Sequence, residues 1–124
     1  MKLFTIEEAN ALLPDLRIKL TRIQKLYAGI GEMRELARAA AAASEFGGGM
    51  EGGTGYVRAL YEIGKITTEI NELGVQLKDY TRGLIDFPAR RGDRIVLLCW
   101  QLDEGDEIEW WHDTEAGFAG RQPL

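Results

Sequence analysis

"ELGVQLKDYTRGLIDFP" (Glu72–Pro88) decides the fold, because the spacing of apolar residues changes inside it. Leading into it, Leu60, Ile63, Ile66, Ile70 and Leu73 recur every three or four residues, the signature of one helix face. Beyond Gly74, Val75, Leu77 and Asp79 alternate, as side chains do on a strand. Gly74 itself takes readily to the left-handed conformation that ends a helix, with Val75 packing back onto the last turn. The stretch therefore predicts a helix over about 55–73 and a first strand over Val75–Asp79.

Working towards the C-terminus, "YTRG" is a turn and Leu84–Pro88 a short strand closed by its proline. "ARRGD" is a second turn. "RIVLLCW" (Arg94–Trp100) is continuously apolar, which predicts a strand covered on both faces. "QLDEGDE" is a third turn, and Ile108–Asp113 the last strand. Short turns between successive strands imply an antiparallel meander. The tail "GFAGRQPL" is too rich in glycine for regular structure. Either Phe118 anchors it, leaving Arg121 to reach Asp79, Asp86 or an acid of a second copy, or the end frays.

Working towards the N-terminus, "FGGGMEGGTG" (Phe46–Gly55) is a loop. It lacks the Lys-Ser/Thr pair of a phosphate-binding loop, since Tyr56-Val57 follow. Before it, Leu16, Leu20, Ile23, Tyr27, Ile30 and Met33 form an apolar seam. Thr5 and Glu8 have capping-box spacing, and Pro14 is disfavoured inside a helix. The expectation is a short helix over Ile6–Leu12, then a long one from Pro14. The fold class is thus α+β: a single domain over 1–124, with a short N-terminal helix and a long antiparallel helical hairpin in 1–74, then a small β-meander in 75–124. Two helices bury long seams poorly, so the hairpins are expected to pair as a homodimer.

Composition narrows the function classes. The net charge of −5 argues against nucleic acid and anionic membrane surfaces as partners. The single Cys99 forms no internal disulfide and no zinc-type CxxC pair, which suits a reducing compartment. No signal-peptide core or membrane-length apolar run is present, so the expected location is cytoplasmic.

The candidate site draws on the strand half. With strands of similar length, Asp86, Arg94 and His112 fall towards one end of the sheet and Asp79, Cys99 and Trp100 towards the other. His112, the only histidine, continues an apolar face with Ile108 and Trp110. It is either a core-edge imidazole bonded to Asp86 or a backbone carbonyl, or part of a metal or general-base site, in which Asp86 and His112 with another carboxylate hold one divalent ion. No second histidine at ligand spacing accompanies it. Arg82, Arg90, Arg91 and Arg94 gather at the turns, beside an acidic run from Asp103 to Glu115, which suits surface ion pairs, protein contacts or a small anion. Cys99 is expected to be inert core, remote from His112. Candidate ligand-binding residues are Lys78, Asp79, Asp86, Arg94, His112 and Arg121.

"FTIEEANALLPDL", "GVQLKDYTRGLIDFPA", "VLLCW" and "WHDTEAGFAGRQPL" together resemble the bacterial and archaeal family known as domain of unknown function 2203. The resemblance spans nearly the whole chain apart from the glycine-rich loop. It implies that Lys78, Asp79, Gly83, Asp86, Phe87, Trp100, Trp111, His112, Gly117 and Arg121 occupy motif positions. The "QLDEGDE" turn is about one residue longer than the family's usual form. The family name implies no activity. Two functions stay open: a non-enzymatic interaction or assembly module with an unidentified protein partner, or a small protein binding a metal or an anionic ligand at the end of the meander, with metal-assisted hydrolysis within its reach.

Overall fold

The structure is a computed structural model that describes residues 1–43 and 53–124. Most of the glycine-rich loop expected over 46–55 lies outside the described residues. Helix α1 (Ile6–Ala43) and helix α2 (Gly53–Glu72) precede strands β1 (Gln76–Asp79), β2 (Leu84–Arg91), β3 (Arg94–Trp100), β4 (Trp110–Asp113) and β5 (Gln122–Pro123). The strands form one antiparallel sheet in the order β1-β2-β3-β4-β5. The class is α+β, and no helix among the described residues is long and apolar enough to cross a membrane.

α1 starts on the expected capping box: Thr5 N donates to Glu8 Oε1 and Glu8 N to Thr5 Oγ1, each at 3.0 Å. The expected break at Pro14 is absent, and one helix of 38 residues replaces the short helix and its successor. A proline inside a helix costs about 3 kcal/mol. Here Ala9, Leu13, Leu16, Leu20 and Ile23 are all fully buried on one face that runs through the proline. At about 1.5–3 kcal/mol per buried Leu or Ile, that face outweighs the lost bond.

The helices run antiparallel, with Arg22 on Glu62 at 2.8 Å and Lys19 on Glu69 at 3.5 Å. The buried faces differ in detail from the expected seams. Tyr27 is turned out to stack on Tyr80, 5.6 Å away and nearly parallel, and Leu26 packs inward in its place. Leu60 is exposed while Ala59, Ile63, Ile66 and Ile70 are buried. α2 ends as the sequence implies: Gly74 has φ 90°, Gly74 N donates to Asn71 O, and Val75 N donates to Ile70 O. That is the Schellman pattern.

One face of the sheet meets the helices. Val75, Ile85, Phe87, Ala89, Val96, Leu98, Trp100 and Trp111 join the helical leucines and isoleucines in the main core. β3 is buried on both faces from Val96 to Trp100, as its apolar run implies.

Pro88 does not close β2, which continues to Arg91. The N and O atoms of one strand residue point to the same side, and the Pro88 carbonyl accepts from Phe4 N at 2.7 Å. The proline nitrogen therefore faces away from β3, beyond the end of β1, where no ladder bond needs a donor. The turn to β3 shrinks to Gly92-Asp93, because Arg91 pairs with Arg94. The last connection is instead longer than expected, and β4 starts at Trp110 rather than Ile108. The tail is regular after all: a 3-10 turn over Phe118–Gly120 and the strand β5, paired to Trp110 and Trp111.

Candidate functional site

The registers place the site. Asp86 lies opposite Cys99, Cys99 opposite Trp110, and Leu97 opposite His112. Paired residues share a sheet face, so Asp86, Cys99 and His112 all project from the face away from the helices. One ligand atom from each of the three lies within 4.8 Å of the others. All three residues are buried, Asp86 to 3% exposure and His112 to 2%. The separation of Cys99 from His112 expected from equal-length strands is thereby corrected. The two-residue turn after Arg91 and the long connection before Trp110 slide the strands into a register that strand lengths alone do not reveal.

His112 is held at both ring nitrogens. Nδ1 lies 2.8 Å from the backbone oxygen of Asp113. A carbonyl only accepts, so Nδ1 carries a hydrogen and donates. Nε2 lies 3.2 Å from both carboxylate oxygens of Asp86. No Lys or Arg pairs with Asp86, and His112 is its charge partner among the described residues. Two acceptors therefore flank the ring, and the Nε2–carboxylate contact needs a shared proton or a cation between its members. Cys99 adds a third donor atom. Burial, and next the Asp86 carboxylate, push its thiol up to about 12, so it stays protonated in the metal-free protein.

This geometry does not favour a cysteine–histidine nucleophile in the metal-free protein. Both imidazole nitrogens are committed, and the thiol is strongly held in its neutral form. It suits a metal ion better. A ligating histidine commonly donates its second N–H to a carbonyl or carboxylate, as Nδ1 does here. A Cys/His/Asp set fits a borderline-soft divalent ion such as zinc, and a cation reverses the field that keeps the thiol protonated.

A cavity of about 210 Å³ adjoins the cluster, lined by Lys78, Leu84, Asp86, Leu97, Cys99, His112, Thr114, Gly117 and Phe118. The tail covers this sheet face. Arg121 is clamped there, its Nη2 donating to Glu104 at 2.8 and 2.6 Å, with its guanidinium 5.0 Å from the Trp110 ring centre and 4.7 Å from that of Phe118.

Of the six candidate ligand-binding residues, the structure brings together Lys78, Asp86 and His112. Asp79 instead organises the β1–β2 turn, accepting from Thr81 Oγ1, Thr81 N and Arg82 N, and these bonds hold its carboxyl below the usual range. Arg94 pairs with Asp113 at 3.2 Å near the hairpin end. Arg121 takes Glu104 rather than Asp79 or Asp86. Sequence reasoning missed Cys99 as a neighbour of His112 and Glu104 as the partner of Arg121. Trp111, one of the motif positions, projects instead into the main core, with its ring under Arg91 at 4.3 Å and its buried indole nitrogen without a partner among the described residues. Even spacing puts Cys99 on the strand face of Leu97, but only the register, with Leu97 opposite His112, brings the histidine to it.

The class is thus an α+β protein whose meander, capped by its own tail, encloses a Cys/His/Asp cluster. The chain belongs to the family described as "Uncharacterized conserved protein (DUF2203)", whose model matches residues 2–124. No curated protein matches it. No solved structure matches it.

Proposed function

We propose that the protein binds one divalent transition-metal ion, with zinc the best fit, through Asp86, Cys99 and His112. The observation that carries this reading is the buried Asp86 carboxylate, which faces His112 Nε2 with Cys99 beside it while Nδ1 is already committed to Asp113 O. Three protein donors beside a cavity leave a fourth tetrahedral position for water or a ligand, the pattern of zinc sites that do chemistry. The test is elemental analysis of tag-free protein, with Zn²⁺ titration against a chromogenic competitor. About one equivalent is expected in the parent, none in His112→Ala, and strongly weakened binding in Cys99→Ser. A parent that neither carries metal nor takes up Zn²⁺ refutes the proposal.

A second reading concerns assembly. α2 carries an exposed stripe of Val57, Leu60, Tyr61, Gly64 and Thr68, and all but Val57 line a shallow groove. Arg58 and Glu72, near the two ends of α2, have no ion-pair partner among the described residues. Two copies of α2 crossing antiparallel about Gly64-Lys65 would set Arg58 against the partner copy's Glu72, twice, with the stripe between them. We propose a homodimer on this face, and sedimentation of the parent against Tyr61→Glu tests it. A dimer lost in the variant supports the reading, and a monomeric parent ends it.

A further inference from the structure

We infer that the cavity beside Asp86, Cys99 and His112 binds a short-chain monocarboxylate, which takes the open position of the metal while its charge faces Lys78. The inference rests on the metal reading above. Charge balance sets the ligand class. A divalent ion held by a thiolate, a carboxylate and a neutral imidazole is electrically neutral. Lys78 then supplies the one surplus charge on the lining, and its ammonium has no ion pair or hydrogen bond among the described residues. The complement is a monoanion.

The walls set its body. Leu84, Leu97 and Phe118 are apolar, and Thr114 adds a neutral hydroxyl that likewise has no partner among the described residues. The volume sets its size. About 210 Å³ is smaller than the roughly 300 Å³ at which typical cofactor and drug-sized pockets begin. A carboxylate with a short hydrocarbon chain meets all three conditions. A dianionic phosphate monoester meets neither the charge nor the apolar walls.

The experiment uses the full chain loaded with Co²⁺, whose visible bands report coordination. Acetate, propionate and inorganic phosphate are each titrated into the parent, Lys78→Ala and Lys78→Arg. The expected result is a saturable band shift with acetate and a stronger one with propionate. Lys78→Ala should weaken propionate about fivefold, the scale of a partly exposed charge pair, with Lys78→Arg restoring it and Co²⁺ affinity unchanged. A cobalt spectrum that ignores carboxylates overturns the inference and leaves the metal site standing. So does tighter binding of phosphate, or a Lys78→Ala variant that binds like the parent. Failure to take up Co²⁺ at all removes the metal reading and this one with it.

Discussion

Replacing Arg121 by alanine should loosen the tail from the sheet at a cost that the structure lets one work out. The Arg121 and Glu104 side chains are 10% and 18% exposed, so their ion pair lies between two limits. Breaking a fully buried pair costs about 3–5 kcal/mol, and an exposed one contributes at most about 1 kcal/mol. Glu104 keeps one bond after the change, from Gln101 N at 2.9 Å, which softens the loss. The guanidinium also leaves two aromatic rings, each contact worth about 0.5–1 kcal/mol. The expected destabilisation is therefore about 2–4 kcal/mol. For a domain of this size it corresponds to a fall in Tm of roughly 10 °C. Urea unfolding followed by circular dichroism measures it. Glu104→Ala and the double variant close a cycle whose coupling should be about 1–3 kcal/mol. Amide exchange at Trp110 and Trp111, the residues paired with β5, should quicken in Arg121→Ala. A loss below about 0.5 kcal/mol, or an additive cycle, would show that the clamp does not hold the tail.

Other expectations follow from the same packing. His112→Ala strands a buried carboxylate and should destabilise the metal-free protein by about 2–4 kcal/mol, read from the urea midpoint; an unchanged midpoint would mean that Asp86 finds another partner. Gly83 sits at φ 60°, and a Cβ there would lie 2.5 Å from Leu102 Cδ1. Gly83→Ala should therefore cost about 1–3 kcal/mol, measurable as a lowered Tm, and an unchanged Tm would contradict this account. Cys99 should resist a thiol reagent at pH 8 in the folded, metal-free protein and react only on unfolding, because its thiol is pushed up to about 12. The sign of the linked pH effect is fixed. Between the ordinary value of 9.0 and about 12 the folded state holds a proton that the unfolded state loses. This contribution to stability is therefore intact below pH 9 and fades as pH rises through that window, a trend that thermal melts between pH 8 and 10.5 can detect.

The change of fold class at Gly74 was legible because two local signals agree there, a break in apolar period and a helix-ending glycine. The capping box at Thr5 and the buried run of β3 were legible for the same local reason. Pro14 and Pro88 misled in opposite settings. Each carries a local penalty, and tertiary context decides whether it applies: a continuous buried face at Pro14, an outward-facing nitrogen at Pro88. The pairing of Asp86 with His112 was open to sequence reasoning, as one of the two alternatives for the lone histidine. Its neighbour Cys99 was not, because register depends on loop lengths that composition fixes only to within a residue or two. One residue of slip sends a strand's side chains to the other face. The Arg121–Glu104 clamp was harder still, since several acids in the "QLDEGDE" connection could have served and only the docked tail selects one.

The junction of Phe4 with Pro88 also guards the outer edge of β2 against strand addition. β1 ends its pairing at Asp86, so the outer side of β2 from Phe87 onward is a stretch of sheet without a neighbouring strand. Such a border invites an extended segment from another molecule to add on, which is how ordered aggregates begin. Here the invitation is withdrawn three times over. Pro88 offers no donor, Phe4 occupies its acceptor at 2.7 Å, and two exposed arginines, Arg90 and Arg91, finish the strand with like charges that oppose an in-register parallel copy.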